Sequence, residues 1–177
     1  MGKWMSLLPP DMPLSKLNER YLAYVETLIP PLDIMARDRQ LFTGRGESTQ
    51  LKSLEEIHSL ATCLPWLFHE VFPSVSETNL FDIAEAGTLL ILALLLQDYY
   101  LDGELPRNPG IPLLHQQLYT DALRRFHVLF EAQSQFWIYF DRYLSQYTAA
   151  LLQEEYNHRG RVTAYSLETI CLLYTSD

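Results

Sequence analysis

An all-α bundle is the fold class this sequence predicts, and three observations predict it. Apolar residues recur at spacings of three and four nearly throughout, the period of a helix with one buried face. No run of strict polar–apolar alternation is long enough for a strand. Proline and glycine cluster at Pro30-Pro31, in Phe42–Ser48 and in Gly103–Pro112, between one periodic stretch and the next. A chain of 177 residues, 48% hydrophobic and 20% charged, has the composition of a single globular domain.

Ser15 is placed to cap a first helix over about 15–29, with Leu17, Tyr21, Leu22, Val25 and Leu28 on its apolar face. Pro30-Pro31 breaks or kinks it, and helix resumes through Met35 to about Leu41. Phe42–Ser48 is a loop; its Gly44-Arg45-Gly46 lacks the rest of a phosphate loop and receives no nucleotide role. A second helix starts at Ser53, with Glu56 completing a Ser-x-x-Glu capping box, and continues through Ile57, Leu60 and Ala61. Pro65 kinks or interrupts it before Pro73 stops it.

The third helix covers about 78–102. Its apolar stretch, Ile83 to Leu96, contains Glu85 and Gly87 and falls short of the ~20 residues that cross a bilayer. The expectation is a buried core helix, with no stable membrane insertion. Gly103–Pro112, with three prolines and two glycines, is a loop. A long helix over about 112–158 follows, because no proline or glycine lies between Leu113 and His158; Gly160 ends it, and a final helix begins near Ser166.

A net charge of −9 argues against a phosphate-backbone binder, so no nucleic-acid partner is expected. An anionic small substrate stays open, since carboxylate-held metal ions can supply positive charge. Cys63 and Cys171 give neither zinc spacing nor a disulfide framework, and a reducing cytoplasm is the default localisation. The apolar part of Met1–Pro10 is too short for a secretory signal, and Met1-Gly2 matches a myristoylation pattern only in part. Cys171–Asp177 resembles the translation of a sequencing-library adapter. Residues 171–177 are therefore expected to be a non-native tail, with the gene continuing beyond Ile170.

The most informative residues are Asp98 and Asp102, directly after the apolar run Leu89–Leu96. Four positions apart on a helix, their Cβ atoms lie roughly 5–6 Å apart on one face, where like charges oppose each other. A hard divalent cation such as Mg²⁺, which takes oxygen ligands and commonly bridges to substrate phosphates, would compensate them. The plainer alternative is a helix end that reaches solvent before Gly103. On the long helix, Phe126, Phe130, Trp137, Phe140, Leu144, Tyr147 and Leu151 form a packing stripe, and Phe136, Tyr139 and Tyr143 place aromatics on a second face. Such faces stabilise a carbocation by ~0.5–2 kcal/mol per ring as water is excluded.

An apolar helix ending in aspartates, a proline-rich loop and a long aromatic helix together resemble the class I terpene synthases of the isoprenoid synthase superfamily. The tail Tyr147–Gly160, with Glu154 and Glu155, followed by Tyr165-Ser166-Leu167-Glu168, is similar to the family's late acidic helix and Ser-x-Glu-led helix. The resemblance covers roughly residues 50–170 and makes 1–170 a partial terpene synthase α-domain, incomplete at its C-terminus. It implies Mg²⁺-dependent ionisation and cyclisation of a prenyl diphosphate by the full-length protein, the fragment itself being inactive. Asp98 and Asp102 match the first and last aspartates of the family's Asp-Asp-x-x-Asp motif. They become the catalytic, metal-ligating pair, with Tyr99 in place of the second aspartate and Glu104 as a nearby acidic substitute. Trp137, Tyr139 and Phe140 become cavity aromatics.

The second metal motif, Asn/Asp-Asp-x-x-Ser/Thr-x-x-x-Glu, does not occur in the chain, nor does a counterpart of the diphosphate-sensing arginine. Two alternatives stay open: a prenyl-chain-elongating synthase and a non-catalytic all-helical interaction protein. Tyr99 and the scarcity of Lys and Arg near the motif favour the cyclase over the elongating enzyme. Homodimerisation is compatible with all three. Other chemistry finds little support. His58, His69, His115, His127 and His158 are scattered and read as surface or satisfied polar residues, and Cys63 reads as a small core residue.

Overall fold

The computed structural model describes residues 14–44, 48–51, 53–54, 57, 60–69 and 71–158. They form seven α-helices and no strand, so the chain is all-α; the only extended pairing among them is an isolated bridge between Asp38 and Gln50. Contacts divide the chain into two compact units, Met1–Leu129 and Phe130–Asp177.

The first unit begins with α1, Leu14–Glu26. Ser15 lies inside this helix and does not cap it. The predicted face holds: Leu17, Tyr21, Val25 and Leu28 are buried, and Leu22 packs against the same core. Beyond Pro30-Pro31 the chain makes two short helices, α2 (Leu32–Ala36) and α3 (Arg39–Thr43), where one continuation to Leu41 is expected. The Asp38 side chain is the reason for the division. It accepts from the Gln40 backbone N–H at 3.0 Å, an N-cap that starts a new helix. The buried Tyr21 hydroxyl donates to the Ala36 carbonyl at 2.7 Å and ties α1 to the end of α2.

Helix α4 runs Leu60–His69, with Pro65 inside it. It starts later than Ser53: Ser53 and Ile57 are not α-helical, and Glu56, the other half of the expected capping box, lies outside the described residues. Trp66 of α4 meets the Phe81 ring edge-on, with ring centroids 5.2 Å apart.

Helix α5, Glu77–Leu101, is the centre of the unit. The Ser76 side chain accepts from the Asn79 N–H and caps it. By length and composition α5 would suffice to cross a bilayer, yet ten of its residues, among them Phe81, Ala84, Leu89, Leu92, Ala93 and Leu96, are buried inside the unit. Helix α6, Gly110–Leu129, lays Ile111, Leu114, Leu118, Ala122 and Phe126 on one face at spacings of three and four, all buried. It starts within the expected loop because Pro112 falls in its first turn, where a missing N–H costs no hydrogen bond. His115 pairs with Ala93 and Arg125 with Glu85, so one index rises as the other falls and the two helices are antiparallel.

The second unit contains α7, Gln135–His158. The expectation of one helix over 112–158 is corrected here: α6 and α7 are separate, and the break at Phe130–Ser134 contains neither proline nor glycine. Side chains make it. The Phe130 and Phe136 rings stack 4.0 Å apart, while six positions along a continuous helix would rise about 9 Å and turn the two rings away from each other. The Trp137 indole N–H donates to the Phe130 carbonyl at 3.3 Å, and the Ser134 N–H to Glu131 at 2.9 Å, so the turn satisfies backbone groups that helix would otherwise pair. The helix expected near Ser166 and the tail 171–177 lie outside the described residues.

Candidate functional site

Asp98 and Asp102 sit at the C-terminal end of α5, Asp98 half-buried in the last turn and Asp102 exposed as its C-cap. The turn is closed by backbone bonds. Gly103 is left-handed (φ 74°), its N–H donates to Tyr100 at 3.4 Å, and the Glu104 N–H reaches the Tyr99 carbonyl at 3.0 Å. This is a Schellman motif, and it needs glycine because an L side chain resists that φ, by about 1–2 kcal/mol. Asp102 N–H donates to the Asp98 carbonyl at 2.9 Å, and Leu105, buried just beyond, also donates to Tyr99. The two carboxylates are thus on one hydrogen-bonded turn, as their spacing predicts.

The electrostatics of this turn are unfavourable. The C-terminus of a helix carries partial negative charge, and an acidic side chain there loses the ~0.3–1 kcal/mol a basic one would gain. Asp98 and Asp102 are both there, Glu104 follows, and α5 has no basic residue in its last turn.

The same turn rests on the end of α3. Gly44, left-handed at φ 64°, terminates α3 by donating to Gln40 at 3.1 Å. A Cβ on Gly44 would come within 3.0 Å of the Tyr99 ring and 2.5 Å of a Glu104 carboxylate oxygen. Tyr99, the residue that departs from the aspartate motif, packs against the core instead of adding a carboxylate. Arg45, Gly46 and Glu47 lie outside the described residues.

In the second unit, Trp137 and Phe140 pack together with ring centroids 5.7 Å apart, and both contact Phe136. Phe136 therefore belongs with the Trp137–Phe140 cluster, whereas its expected companions Tyr139 and Tyr143 stack with each other at 6.3 Å and are exposed. The reason is again the turn before α7, which folds Phe130 back onto Phe136.

Glu85 is the charged residue whose surroundings the sequence did not foretell. Its side chain is 7% exposed and held from two other helices, by Arg20 of α1 at 3.0 Å and Arg125 of α6 at 2.9 Å. Arg20 also pairs with Asp82, and it lies over the Phe81 ring as Arg125 lies over Tyr24. The Tyr24 hydroxyl donates to Asp121 at 2.8 Å, which further accepts from Gln117 and Arg124. Burial, then the Asp121 hydrogen bond and charge, raise the Tyr24 pKa well above the ordinary phenol value; Arg125 opposes this weakly. Burial likewise raises Tyr21, against the Arg37 charge. A carboxylate interrupting an apolar run was visible in the sequence; its partners, 65 and 40 positions away, were not.

The histidines that can be followed are satisfied. His69 lies 3.3 Å from the Val75 carbonyl, and His115 lies 2.8 Å from that of Ala93 while stacking on Tyr119. His58 and the side chains of Cys63 and His158 lie outside the described residues. Among the described residues, no group of three or more His, Cys, Asp or Glu side chains is arranged to hold a metal ion. Two carboxylates nevertheless suit Mg²⁺, which usually keeps several waters and binds through one or two carboxylates plus substrate phosphates. No protein family, curated protein or solved structure matches the chain.

Proposed function

We propose that this chain carries the aspartate side of an isoprenoid-synthase-like site, whose activity is Mg²⁺-dependent ionisation and cyclisation of a prenyl diphosphate, as in class I terpene synthases. One observation carries the reading: a 25-residue apolar helix ends in two aspartates, one turn apart, with no basic residue in that turn. The helix dipole and the like-charge spacing both disfavour the arrangement, and such local violations concentrate at functional sites. Bound Mg²⁺ would supply charge neutralisation for the diphosphate leaving group. Asp98, half-buried, would be the principal ligand, and exposed Asp102 a supporting ligand. The Schellman turn fixes the backbone that presents both. Within α7, Trp137 and Phe140 pack as a pair, and Tyr139 lies exposed on a different face. The proposed setting is the cytoplasm, where prenyl diphosphate and Mg²⁺ would both be soluble.

The test is Mg²⁺-dependent release of diphosphate from prenyl diphosphates by the complete reading frame, with Asp98→Asn beside it. Turnover that is lost on chelation and falls at least 100-fold in Asp98→Asn supports the reading. A complete frame without the second metal motif, or one that turns over no prenyl diphosphate, refutes it.

A non-catalytic interaction protein is favoured by a different observation. Leu64, Phe68, Val71 and Phe72, at the end of α4 and just beyond, are large apolar side chains left exposed close together in sequence. Inactivity of the complete frame would leave that reading standing.

A further inference from the structure

We propose that Gly44 is a positioning residue for the Asp98–Asp102 turn and acts on it through Tyr99. The inference rests on the metal-binding reading above and adds a residue that lies outside the aspartate motif, 54 positions before Asp98.

The argument starts from what a methyl group at Gly44 would meet. The Glu104 carboxylate, at 2.5 Å, is the end of a flexible, exposed side chain and can swing aside. The Tyr99 ring, at 3.0 Å by two of its carbons, has less freedom, since it is half-buried and packed against the core. The ring therefore decides the outcome, and it must give by a few tenths of an ångström. Residue 99 lies between the two aspartates, and its carbonyl accepts the Glu104 and Leu105 N–H groups that close the turn. Asp102 is bonded back to the Asp98 carbonyl within the same unit. Moving Tyr99 therefore moves the backbone that carries both carboxylates. A metal site is sensitive to that scale, since ligand distances hold to about ±0.2 Å and Mg²⁺ demands near-ideal geometry.

Tyr99→Ala supplies the control. It removes the ring that a methyl group at Gly44 would push and leaves the left-handed strain at residue 44 in place.

The experiment measures binding of Mn²⁺, with inorganic diphosphate present, to the full chain by paramagnetic resonance, alongside thermal unfolding. Compared are wild type, Gly44→Ala, Tyr99→Ala and the double variant Gly44→Ala/Tyr99→Ala. The expected result is a loss of at least fivefold in affinity for Gly44→Ala in the wild-type background. The double variant should bind like Tyr99→Ala alone, because without the ring the methyl group has nothing to push. Wild-type affinity in Gly44→Ala, or losses from Gly44 and Tyr99 that simply multiply, would overturn the inference while leaving the metal site intact. Absence of saturable Mn²⁺ binding by the wild-type chain would overturn the metal reading, and this inference with it.

Discussion

Helix α5 holds carboxylates in two settings, and the contrast between them separates scaffold from candidate chemistry. At Glu85, in its first half, a buried carboxylate is gripped by Arg20 and Arg125 from two neighbouring helices. At its end, Asp98 and Asp102 stand at the negative pole of the helix, with no basic residue in the last turn. The Glu85 arrangement is what a buried charge requires, since an isolated one would cost far more than folding supplies. The Asp98–Asp102 arrangement is one that the helix dipole and the like-charge spacing disfavour. On one helix, then, the buried carboxylate belongs to the architecture, and the acidic turn is the place to look for a ligand.

The sharpest break of this comparison is Glu85→Ala. Removing one partner of a buried ion pair typically costs 3–5 kcal/mol, because the remaining charges lose their compensation. Arg20 and Arg125 are each about a third exposed (32% and 35%), so water takes over part of that role. The expected loss is about 2–3 kcal/mol, read as a lower urea midpoint. A loss below 0.5 kcal/mol would mean that the pairing is decorative.

Alkaline pH probes the same three-helix junction from the tyrosine side. Tyr21 and Tyr24 both have pKa values raised above the ordinary 10.0 by burial, and Tyr24 additionally by Asp121. The unfolded chain therefore sheds these protons first. Their contribution is fully present below pH ~10 and is lost as pH climbs above it, at about 1.4 kcal/mol per pH unit for each tyrosine. Absorbance at 295 nm, read against Tyr21→Phe and Tyr24→Phe, should show both groups ionising only as the protein unfolds. Ionisation of either tyrosine in the folded protein would contradict this. Tyr24→Phe is a smaller change. Asp121 keeps Gln117 and Arg124 as donors, so the expected cost is one hydrogen bond, about 0.5–1.5 kcal/mol.

The fold was legible wherever information is local. The face Leu17–Tyr21–Val25 is written in the 3.6-residue period, and the end of α5 in Asp102-Gly103. What the sequence concealed depends on distant or side-chain partners. The α6–α7 break arises from Phe130 stacking on Phe136, and Ser134, a residue type favoured at helix starts, was its only local sign. Asp38 dividing α2 from α3 was likewise readable only as one more polar residue before a helix. Of the candidate site, the carboxylate spacing was legible. That Tyr99 leans on Gly44 was not, because nothing in either segment points to the other.

The smallest expected effect has the opposite sign, and for that reason it tests the comparison most directly. Asp102→Asn removes an exposed negative charge from the negative end of α5 and from its like-charged neighbour one turn back. The dipole term is ~0.3–1 kcal/mol and the pair term ~0.2–0.5 kcal/mol, both at low salt. Exposure keeps the sum near its lower end, so the variant should be more stable than wild type by about 0.5 kcal/mol, and the gain should fade as salt shortens the Debye length from ~30 Å at 0.01 M to ~10 Å at 0.1 M. Saturating Mn²⁺ and diphosphate should reverse the order. Wild type gains about 2.7 kcal/mol at 100 times Kd, whereas a chain that has lost a ligand gains less. Destabilisation by Asp102→Asn on the scale of Glu85→Ala, at low salt and without metal, would show the acidic turn to be structural and dissolve the distinction between the two ends of the helix.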